Sequence, residues 1–397
     1  MNKSNFRNTY PIVLVHGFCG WDRDEVFGFK YWGGPFDIEA RLNELHVHTY
    51  SAAVGPVSSS WERAVELYYY LVGGTVDYGA AHAKKYGIQR FGRTLKGIYP
   101  QISDTNRIHL VGHSMGAQTS ADFESFLRNG SKQERDHFEK HPEEGISDLF
   151  LGGKNWVHSI TGVAPAFNGS TLGDSQNKIF QVVENVLLKL AAAAGSNFTD
   201  FVYDFKLDQW GLQRREGEYF IEYFNRVRES EIWTSGDTAF TDLSTTGAAK
   251  IAKERLRIFP ETYYFSFHGN TTFENPKTGY WLPMAQTNPI LYLDAARTGR
   301  LSNDPVIPED QQASWRPSDG LVNCIAGKNV LGQPVRDVTT ADTRFEPGIW
   351  NAFPVMNGWD HIDFMGLNKE FLSRKQDILP LYTEIARIVT STERRDT

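Results

Sequence analysis

The sequence contains few of the residues that mark several large classes of protein. Only two cysteines, Cys19 and Cys324, occur among 397 residues, too few for a disulfide framework or a zinc knuckle, although a disulfide between them stays open. Lysine and arginine number 41 against 48 acidic residues, a formal net charge of -7, and the basic residues are scattered. A nucleic-acid-binding protein carries a concentrated basic patch, so we expect no nucleic-acid partner.

Long hydrophobic runs are also missing. No stretch is long and apolar enough to cross a bilayer, and the first residues, 1–6, are polar before any signal-peptide core could form. We therefore expect a soluble mature chain with no transmembrane segment and no signal peptide. Its location has to be argued from its function.

The residues that are present are those of a folded globular protein. Hydrophobic residues make up 40% of the chain, charged residues 22% and aromatic residues 13%, with 35 glycines for tight turns. Because α/β folds often exceed the average domain size, this length does not require two domains. We predict one catalytic domain over residues 1–397.

A mainly helical insertion is predicted at about 168–257, within that domain, as a cap or lid. Between positions 179 and 190 the apolar residues recur as one helix face. Such a block after a sheet strand is typical of a cap over an active site. A helix that packs in the core without any lid role explains the same periodicity, and both alternatives stay open.

Two apolar, β-branched runs predict central parallel strands that end at functional loops. The first, 11–15, leads into His16-Gly17-Phe18. The second, 107–111, leads into Gly112-His113-Ser114-Met115-Gly116, and a predicted helix follows over 117–129. A strand, a Gly-x-Ser-x-Gly motif and a helix in this order indicate the nucleophile elbow of the α/β-hydrolase fold, a mostly parallel sheet flanked by helices.

The nucleophile elbow indicates which residues serve as the nucleophile and the oxyanion hole. Ser114 is the predicted nucleophile, because the tight turn exposes its Oγ at the N-terminus of a helix, where the dipole favours an oxyanion. The glycines leave room for the close approach of strand and helix. We predict that the backbone N–H groups of Phe18 and Met115 form the oxyanion hole. An ordinary tight turn would explain either motif alone. It explains less well why both motifs occur in this order.

Five histidines follow the serine, and in this fold the base comes after the acid. They are His137, His141, His158, His268 and His361. The first two lie in a charged stretch, the third lies in a predicted strand, and the fourth leaves too little sheet before it to carry the acid. We therefore predict that His361 is the base, and that His113, beside the nucleophile, is a packing residue.

The acid is expected on a turn a few dozen residues before the base. Asp319 fits, because Ser318-Asp319-Gly320 places a carboxylate on a turn that ends in glycine. Other carboxylates are interpreted more simply as solvated loop charges: Asp304, Asp310, Asp337 and Asp342.

Four long runs resemble one known group, the large bacterial true lipases of the thermostable bacillar and staphylococcal type. The runs are PIVLVHGF at 11–18, VFGFKYWGG at 26–34, LVGGTVDYGAAH at 71–82 and YDFKLDQWGL at 203–212. The resemblance covers nearly the whole chain. It implies the triad Ser114, Asp319 and His361, and it implies a secreted enzyme.

The family carries a zinc ion bound by two carboxylates and two histidines. The resemblance places its ligands at Glu62, His82, Ile88 and Asp242. Ile88 has no donor atom, and structural zinc prefers a closed shell of four ligands. We therefore predict that the purified chain holds well under one zinc.

The family's calcium lies near the loop of the catalytic histidine. The resemblance places its side-chain ligands at Asp363 and Asn368. Both offer oxygen, the donor that calcium prefers, but asparagine supplies no charge where the family has aspartate. We expect no cofactor to be required for the chemistry itself.

Three functions are compatible with these residues. The first is a triacylglycerol lipase that acts on long-chain acyl esters at a lipid–water interface. The second is an esterase for shorter esters or aliphatic polyesters. The third, a non-catalytic binding protein on the same fold, is disfavoured by the intact triad and oxyanion positions. The sequence does not indicate acyl-chain length, stereopreference, thermal stability or oligomeric state.

Overall fold

The structure is a computed structural model of the chain. It describes residues 7–174, 184, 187–188, 201–302, 304, 306–366 and 378–393. Most of the predicted lid helix, 179–190, therefore lies outside the described residues. The two cysteines are free, so the disulfide that the sequence left open is not formed.

A seven-stranded, wholly parallel sheet forms the centre of the molecule, with the strand order β11-β12-β7-β6-β5-β1-β2. Its strands are β1 (Ile12–Val15), β2 (Thr49–Ala52), β5 (Ile108–His113), β6 (Val157–Val163), β7 (Tyr263–Phe267), β11 (Val335–Asp337) and β12 (Trp350–Ala352). Three small ribbons are formed by β3 (Gly74–Asp77), β4 (Phe91–Leu95), β8 (Gly269–Asn270), β9 (Thr272–Glu274), β10 (Trp281–Pro283) and β13 (Met356–Asn357). The predicted α/β-hydrolase fold is confirmed.

Helices cover the sheet on both faces. Those described are α1 (Ile38–Glu44), α2 (Ser60–Val72), α3 (Ala80–Tyr86), α4 (Met115–Asn129), α5 (Lys132–Lys140), α6 (Asp148–Leu151), α7 (Phe220–Arg228), α8 (Ala239–Leu243), α9 (Thr245–Glu254), α10 (Tyr292–Thr298), α11 (Cys324–Lys328) and α12 (Leu379–Glu393). Ser59 begins α2 by accepting a hydrogen bond from the N–H of Glu62, and Gly130 ends α4, as helix capping requires.

The two faces of the sheet bury separate hydrophobic layers, as a central parallel sheet requires. Alternate residues of β1 divide between them: Ile12 and Leu14 pack in one layer, and Val13 and Val15 pack in the other. The catalytic motifs follow the carboxyl ends of these strands, so the layers fix the edge of the sheet where the site forms. No helix in the described part of the chain is long and apolar enough to cross a membrane.

Helices α7, α8 and α9 lie between β6 and β7, inside the segment predicted as a cap. The strand predictions at 11–15 and 107–111 agree with β1 and β5 to within two residues. The division of the chain into a catalytic body and a cap stays a prediction.

Candidate active site

Ser114 lies on the sharp turn between β5 and α4. Its backbone is strained, with φ 55° and ψ −126°, a region that side chains rarely occupy and that marks functional sites. A Cβ atom added at Gly112 would lie 2.4 Å from the backbone N of Ala117, and one at Gly116 would lie 2.0 Å from the carbonyl oxygen of Val15. Strand and helix therefore touch as the elbow motif predicts.

The loop after β1 lies directly against this turn. A Cβ atom on Gly17 would be 2.7 Å from the Cβ of Ser114, so only glycine lets the loop come so near. Phe18, the next residue, lines the same pocket as Ser114. Met115 begins α4 immediately after the serine. The two backbone N–H groups predicted for the oxyanion hole thus belong to the loop and the helix start that flank the nucleophile.

Asp319 and His361 form a buried pair. The His361 Nδ1 lies 2.8 Å from Oδ2 of Asp319, and the backbone N–H of His361 donates to the Asp319 carbonyl at 2.8 Å. The other carboxylate oxygen of Asp319 accepts the N–H groups of Leu321 and Val322 at 3.0 and 2.7 Å. Gly320, with φ +98°, makes this tight turn possible. The carboxylate is held so that one oxygen faces the imidazole.

The competing acids have other surroundings. Asp304 accepts the backbone N–H groups of Val306 and Ile307, which makes it the end of a local turn. Asp310 and Asp337 are exposed, and the half-buried Asp342 accepts the N–H of Thr339 at 2.6 Å. Among the histidines set aside, burial lowers the pKa of His268 to about 4 and that of His158 to about 3.

An apolar pocket joins the serine and the histidine. Ser114, His361 and Phe18 line a cavity of about 170 Å³. Its apolar walls come from Ala166, Leu172, Phe240, Leu243, Leu321 and Val322. Asp294 and Arg297 of α10 are the charged residues beside this cavity, and they form an ion pair of 3.0 Å.

Tyr31 links the oxyanion loop to the histidine loop, a role that no motif indicated. Its hydroxyl accepts the N–H of Gly17 at 2.9 Å and donates to Nδ1 of His113 at 2.6 Å. Nε2 of His113 then donates to the carbonyl of His361 at 3.0 Å. Burial and the nearby His361 lower the pKa of His113 well below its ordinary value, so this ring is neutral. His113 thus supports the histidine loop instead of serving as a base.

Arg63 is a second positioning residue that sequence reasoning missed. Its guanidinium, fully buried, donates to the carbonyl of His16, to the carbonyl of Gly55 at 2.7 Å and to Oγ1 of Thr119 at 2.9 Å. These contacts join the oxyanion loop to the helix of the nucleophile. Desolvation lowers the pKa of this guanidinium to about 10. A buried arginine in an amphipathic helix carries no sequence signal that separates it from a solvated one.

The structure corrects one of the residues assigned to zinc. Donor atoms of Glu62, His82 and Asp237 all lie within 4.8 Å of one another, and Nε2 of His82 is 2.8 Å from Oδ2 of Asp237. Asp242 instead accepts the N–H of Ser60 at 2.6 Å, at the start of α2. Asp237 therefore lies with Glu62 and His82 where the resemblance places Asp242, and zinc binding itself stays a prediction. Ile88 packs against the hydrophobic core.

The polar atoms of Glu62, His82 and Asp237 are better satisfied by a cation than by one another. Both carboxylate oxygens of Glu62, Nε2 of His82 and Oδ2 of Asp237 are buried without a well-formed hydrogen bond. Burial and the charges of Asp237 and Glu66 raise the pKa of Glu62 well above its ordinary value. A divalent ion relieves such a group of buried carboxylates, and two oxygens with one imidazole nitrogen are suitable donors for zinc.

The predicted calcium site lies partly outside the described residues, because Asn368 is not among them. Asp363 is described, and its Oδ2 accepts the N–H of Asp360 at 2.8 Å. Burial and the neighbouring Asp360 carboxylate raise the pKa of Asp363 to about 7, and burial raises that of Asp360 to about 6. The buried Asp360 and the half-buried Asp363, both beside His361, fit a hard cation with oxygen ligands.

Comparison with known proteins agrees with this fold. The chain is 38% identical over 389 residues to Lipase 2 of Staphylococcus aureus, which covers 95% of this chain and 53% of that protein. Among solved structures, EstA from Clostridium botulinum is 40% identical with a TM-score of 0.86, covering 98% of this chain and 89% of that one. Staphylococcus hyicus lipase is 34% identical with a TM-score of 0.83, covering 100% and 99%.

The chain spans about half the length of the curated staphylococcal relatives that it matches. A family model described as the lipase-like, C-terminal domain matches residues 8–397, nearly the whole of the sequence. The resemblance seen in the four sequence runs is therefore confirmed, and the chain belongs to the lipase-like family of α/β-hydrolase fold.

Proposed function

We propose that this protein hydrolyses carboxylic esters through an acyl-enzyme formed on Ser114. The observation that carries the proposal is the meeting of three features at one edge of the sheet. These are a strained serine at a helix N-terminus, a buried Asp319–His361 pair and an apolar pocket that contains both the serine and the histidine. Acyl transfer requires this combination of nucleophile, base and acyl-binding surface.

In the acylation step, Oγ of Ser114 attacks the ester carbonyl while His361 takes its proton. Asp319 fixes the imidazole tautomer through Nδ1 and stabilises the imidazolium that forms. The tetrahedral oxyanion is bound by the N–H groups of Phe18 and Met115. His361 then gives its proton to the leaving alcohol. In deacylation, water attacks the acyl-enzyme while His361 takes a proton from it, and His361 returns that proton to Oγ of Ser114 as the carboxylic acid leaves.

The substrate class that this site favours is a water-insoluble acyl ester, with triacylglycerol as the leading example. The pocket walls are mainly apolar, so an acyl chain gains free energy by leaving water. Relatives named as lipases match between 95% and 100% of this chain. The expected partner is a lipid–water interface, and the expected place of action is outside the cell, where such interfaces are available to a secreted enzyme.

A second candidate, an esterase for shorter esters or aliphatic polyesters, is favoured by a separate observation. The described cavity is only about 170 Å³ and has the Asp294–Arg297 ion pair beside it. Charged groups at the pocket favour a substrate with polar groups close to the scissile ester. A structural neighbour of this chain is named EstA.

A bound metal ion would have a structural role and would take no part in the reaction. Asp363, with Asn368, would hold calcium beside the loop of His361, and such an ion would fix the position of that loop. The proton transfers above pass through His361, and Asp319 stabilises the imidazolium without taking up a proton.

The test is a rate profile over p-nitrophenyl esters of increasing chain length, repeated on emulsified triacylglycerol and on a polyester film. Ser114→Ala should lower the turnover rate by several powers of ten on every substrate, while the circular dichroism spectrum stays unchanged. A lipase with a lid should gain activity sharply once the substrate exceeds its solubility. Smooth saturation with a preference for short chains would favour the esterase. Turnover retained by Ser114→Ala would refute the triad.

A further inference from the structure

Two histidines lie side by side on the surface of the molecule, at the end of α5. His137 and His141 are four residues apart, and the backbone N–H of His141 donates to the carbonyl of His137 at 2.9 Å, which continues the last turn of the helix. Residues at this spacing share one helix face. Their imidazole rings accordingly have centroids 4.8 Å apart. The two rings are therefore close enough to bind one metal ion.

The turn that follows α5 brings two carboxylates to these rings. It is the short 3-10 helix Pro142–Glu144. Nε2 of His137 lies 2.9 Å from Oε2 of Glu144. Nδ1 of His141 lies 3.7 Å from Oε1 of Glu143. Donor atoms of His141, Glu143 and Glu144 all lie within 4.8 Å of one another. Two nitrogen and two oxygen donors thus come together within one short segment, 137–144.

Backbone contacts hold these donors in place. The N–H of Glu144 donates to the carbonyl of His141 at 3.1 Å. The carbonyl of Glu144 accepts Nη1 of Arg90 at 2.6 Å, and Arg90 is itself paired with Asp77 on β3 at 2.8 Å. The side chain of His137 is only 14% exposed. Because these groups are already ordered, an ion that binds them loses less affinity to conformational entropy.

The spacing and the charge of the four side chains both suit a divalent transition-metal ion. Imidazole nitrogen and carboxylate oxygen lie about 2.0–2.2 Å from such an ion, so two donors on one ion are roughly 3–4 Å apart. The distances of 2.9 and 3.7 Å are of this size. The hydrogen bond from His137 lowers the pKa of Glu144 below its ordinary value, so this carboxylate is ionised. Two carboxylates and two neutral imidazoles carry the charge that a divalent cation balances.

We propose that His137, His141, Glu143 and Glu144 bind a copper(II) ion in an exchangeable surface site. Nitrogen and oxygen donors suit the tetragonal geometry of copper(II), and a site of this kind binds copper(II) more tightly than the other first-row divalent ions. The side chains of Glu143 and Glu144 are 72% and 43% exposed, so solvent reaches the ion and a chelator removes it. The site is separate from Ser114 and does not depend on the proposed hydrolysis.

The test is a titration of metal-free protein with copper(II), followed by electron paramagnetic resonance. The unmodified chain should bind one copper at this site, with nitrogen hyperfine splitting from two imidazoles. His141→Gln should weaken this binding by roughly tenfold or more and remove one nitrogen from the spectrum. His48→Gln is the matched control, because it removes an exposed histidine outside the segment and should change neither property. Circular dichroism of each metal-free variant controls for folding.

A second control separates this site from the buried cluster of Glu62, His82 and Asp237. Asp237→Asn alters that cluster and should leave the copper titration and the spectrum unchanged.

Three results would overturn the proposal. The first is the absence of saturable copper binding by the folded protein. The second is an equal loss of binding in His141→Gln and His48→Gln, which would mean that copper binds exposed histidines without selection. The third is binding that Asp237→Asn abolishes and His141→Gln leaves intact, which would assign the copper to the buried cluster. Ester hydrolysis is not measured in any arm, so failure here is independent of the proposed function.

Discussion

Single side chains position the catalytic edge of the sheet, and Tyr31 does so through one hydroxyl. That hydroxyl accepts the N–H of Gly17 and donates to His113, which supports the carbonyl of His361. The oxyanion loop and the histidine loop are thus connected through buried hydrogen bonds that depend on one oxygen atom. Removing it leaves the N–H of Gly17 buried without a partner, at a cost of roughly 1–3 kcal/mol.

Tyr31→Phe is accordingly expected to lower both stability and turnover. We predict a loss of kcat of roughly tenfold, equivalent to about 1.4 kcal/mol of transition-state stabilisation, with little change in KM. Tyr70→Phe is the control, because it removes a hydroxyl that donates to Ser51 on β2. Steady-state kinetics and thermal melting of both variants separate the two effects. Equal kcat losses in the two would show that Tyr31 has only a structural role.

Glu124 gives the fold a pH dependence that can be measured directly. Its carboxylate is buried and accepts the hydroxyls of Thr262 and Tyr264, and burial raises its pKa from 4.5 to about 7. The folded state therefore binds the proton more tightly than the unfolded state does. Stability from this group is full below about pH 4.5 and is lost as the pH rises to about 7.

Glu124→Gln should remove this dependence. Its free energy of unfolding, relative to the unmodified chain, should rise between about pH 4.5 and 7 and then level off, by on the order of 3 kcal/mol at about 1.4 kcal/mol per pKa unit. Denaturant titrations at several pH values measure the difference. Glu261→Gln, an exposed neighbour, should run parallel to the unmodified chain. A constant difference for Glu124→Gln would contradict the buried-acid interpretation.

Ile88 controls the metal content that we expect. Purified protein should hold well under one zinc per chain, whereas Ile88→His should raise zinc content and melting temperature together, because the ion binds only the native state. Ile88→Leu, which adds no donor, is the control. Metal analysis and calorimetry measure both effects. Stoichiometric, chelator-resistant zinc in the unmodified protein would show that three donors suffice.

At the scale of elements, the short helix α8 contributes to two cavities. Phe240 and Leu243 line the catalytic pocket, while Thr241 and Asp242 line a separate cleft of about 520 Å³. The ring of Phe240 lies 4.9 Å from that of Phe18, edge to face. One turn of helix therefore forms the wall between the acyl pocket and the cleft.

Phe240→Ala should enlarge the acyl pocket. We predict that the ratio of kcat/KM for long-chain over short-chain esters rises by roughly tenfold, the effect of about one or two methylene groups in an apolar pocket. Phe273→Ala, at an exposed position on β9, is the control. A chain-length profile of p-nitrophenyl esters measures the ratio. An unchanged profile would mean that the acyl chain lies elsewhere.

Some elements could be predicted from sequence and others could not, for physical reasons. The strands β1, β5 and β7 are continuous apolar runs because both faces of a parallel sheet are buried. β11 and β12 have three residues each, too short for any periodicity to appear. Ser114 and the glycines follow from local motifs, and His361 follows from chain order. Which of Asp237 and Asp242 lies beside Glu62 and His82 depends on the three-dimensional path of the chain near α8. The local sequence does not indicate this path.

At the scale of the whole molecule, the two ends of the described chain are joined at the amino edge of the sheet. The carboxylate of Glu393, at the end of α12, accepts the N–H groups of Thr9 and Tyr10 at 2.8 and 3.2 Å. It also lies 2.8 Å from Nε2 of His109 on β5. The helix that closes the fold is thus tied to the first strand and to the strand that carries Ser114.

This arrangement has a practical consequence for attachment. Ser114 follows the carboxyl end of β5, whereas the exposed Thr9 lies near its amino end, so a group attached at position 9 is held away from the ester-binding mouth. The protein is therefore suited to being fixed to a particle or a solid support through a cysteine introduced at position 9. We expect a tether at the amino side to keep its activity toward an emulsion droplet or polymer film, since the catalytic edge remains turned to the substrate.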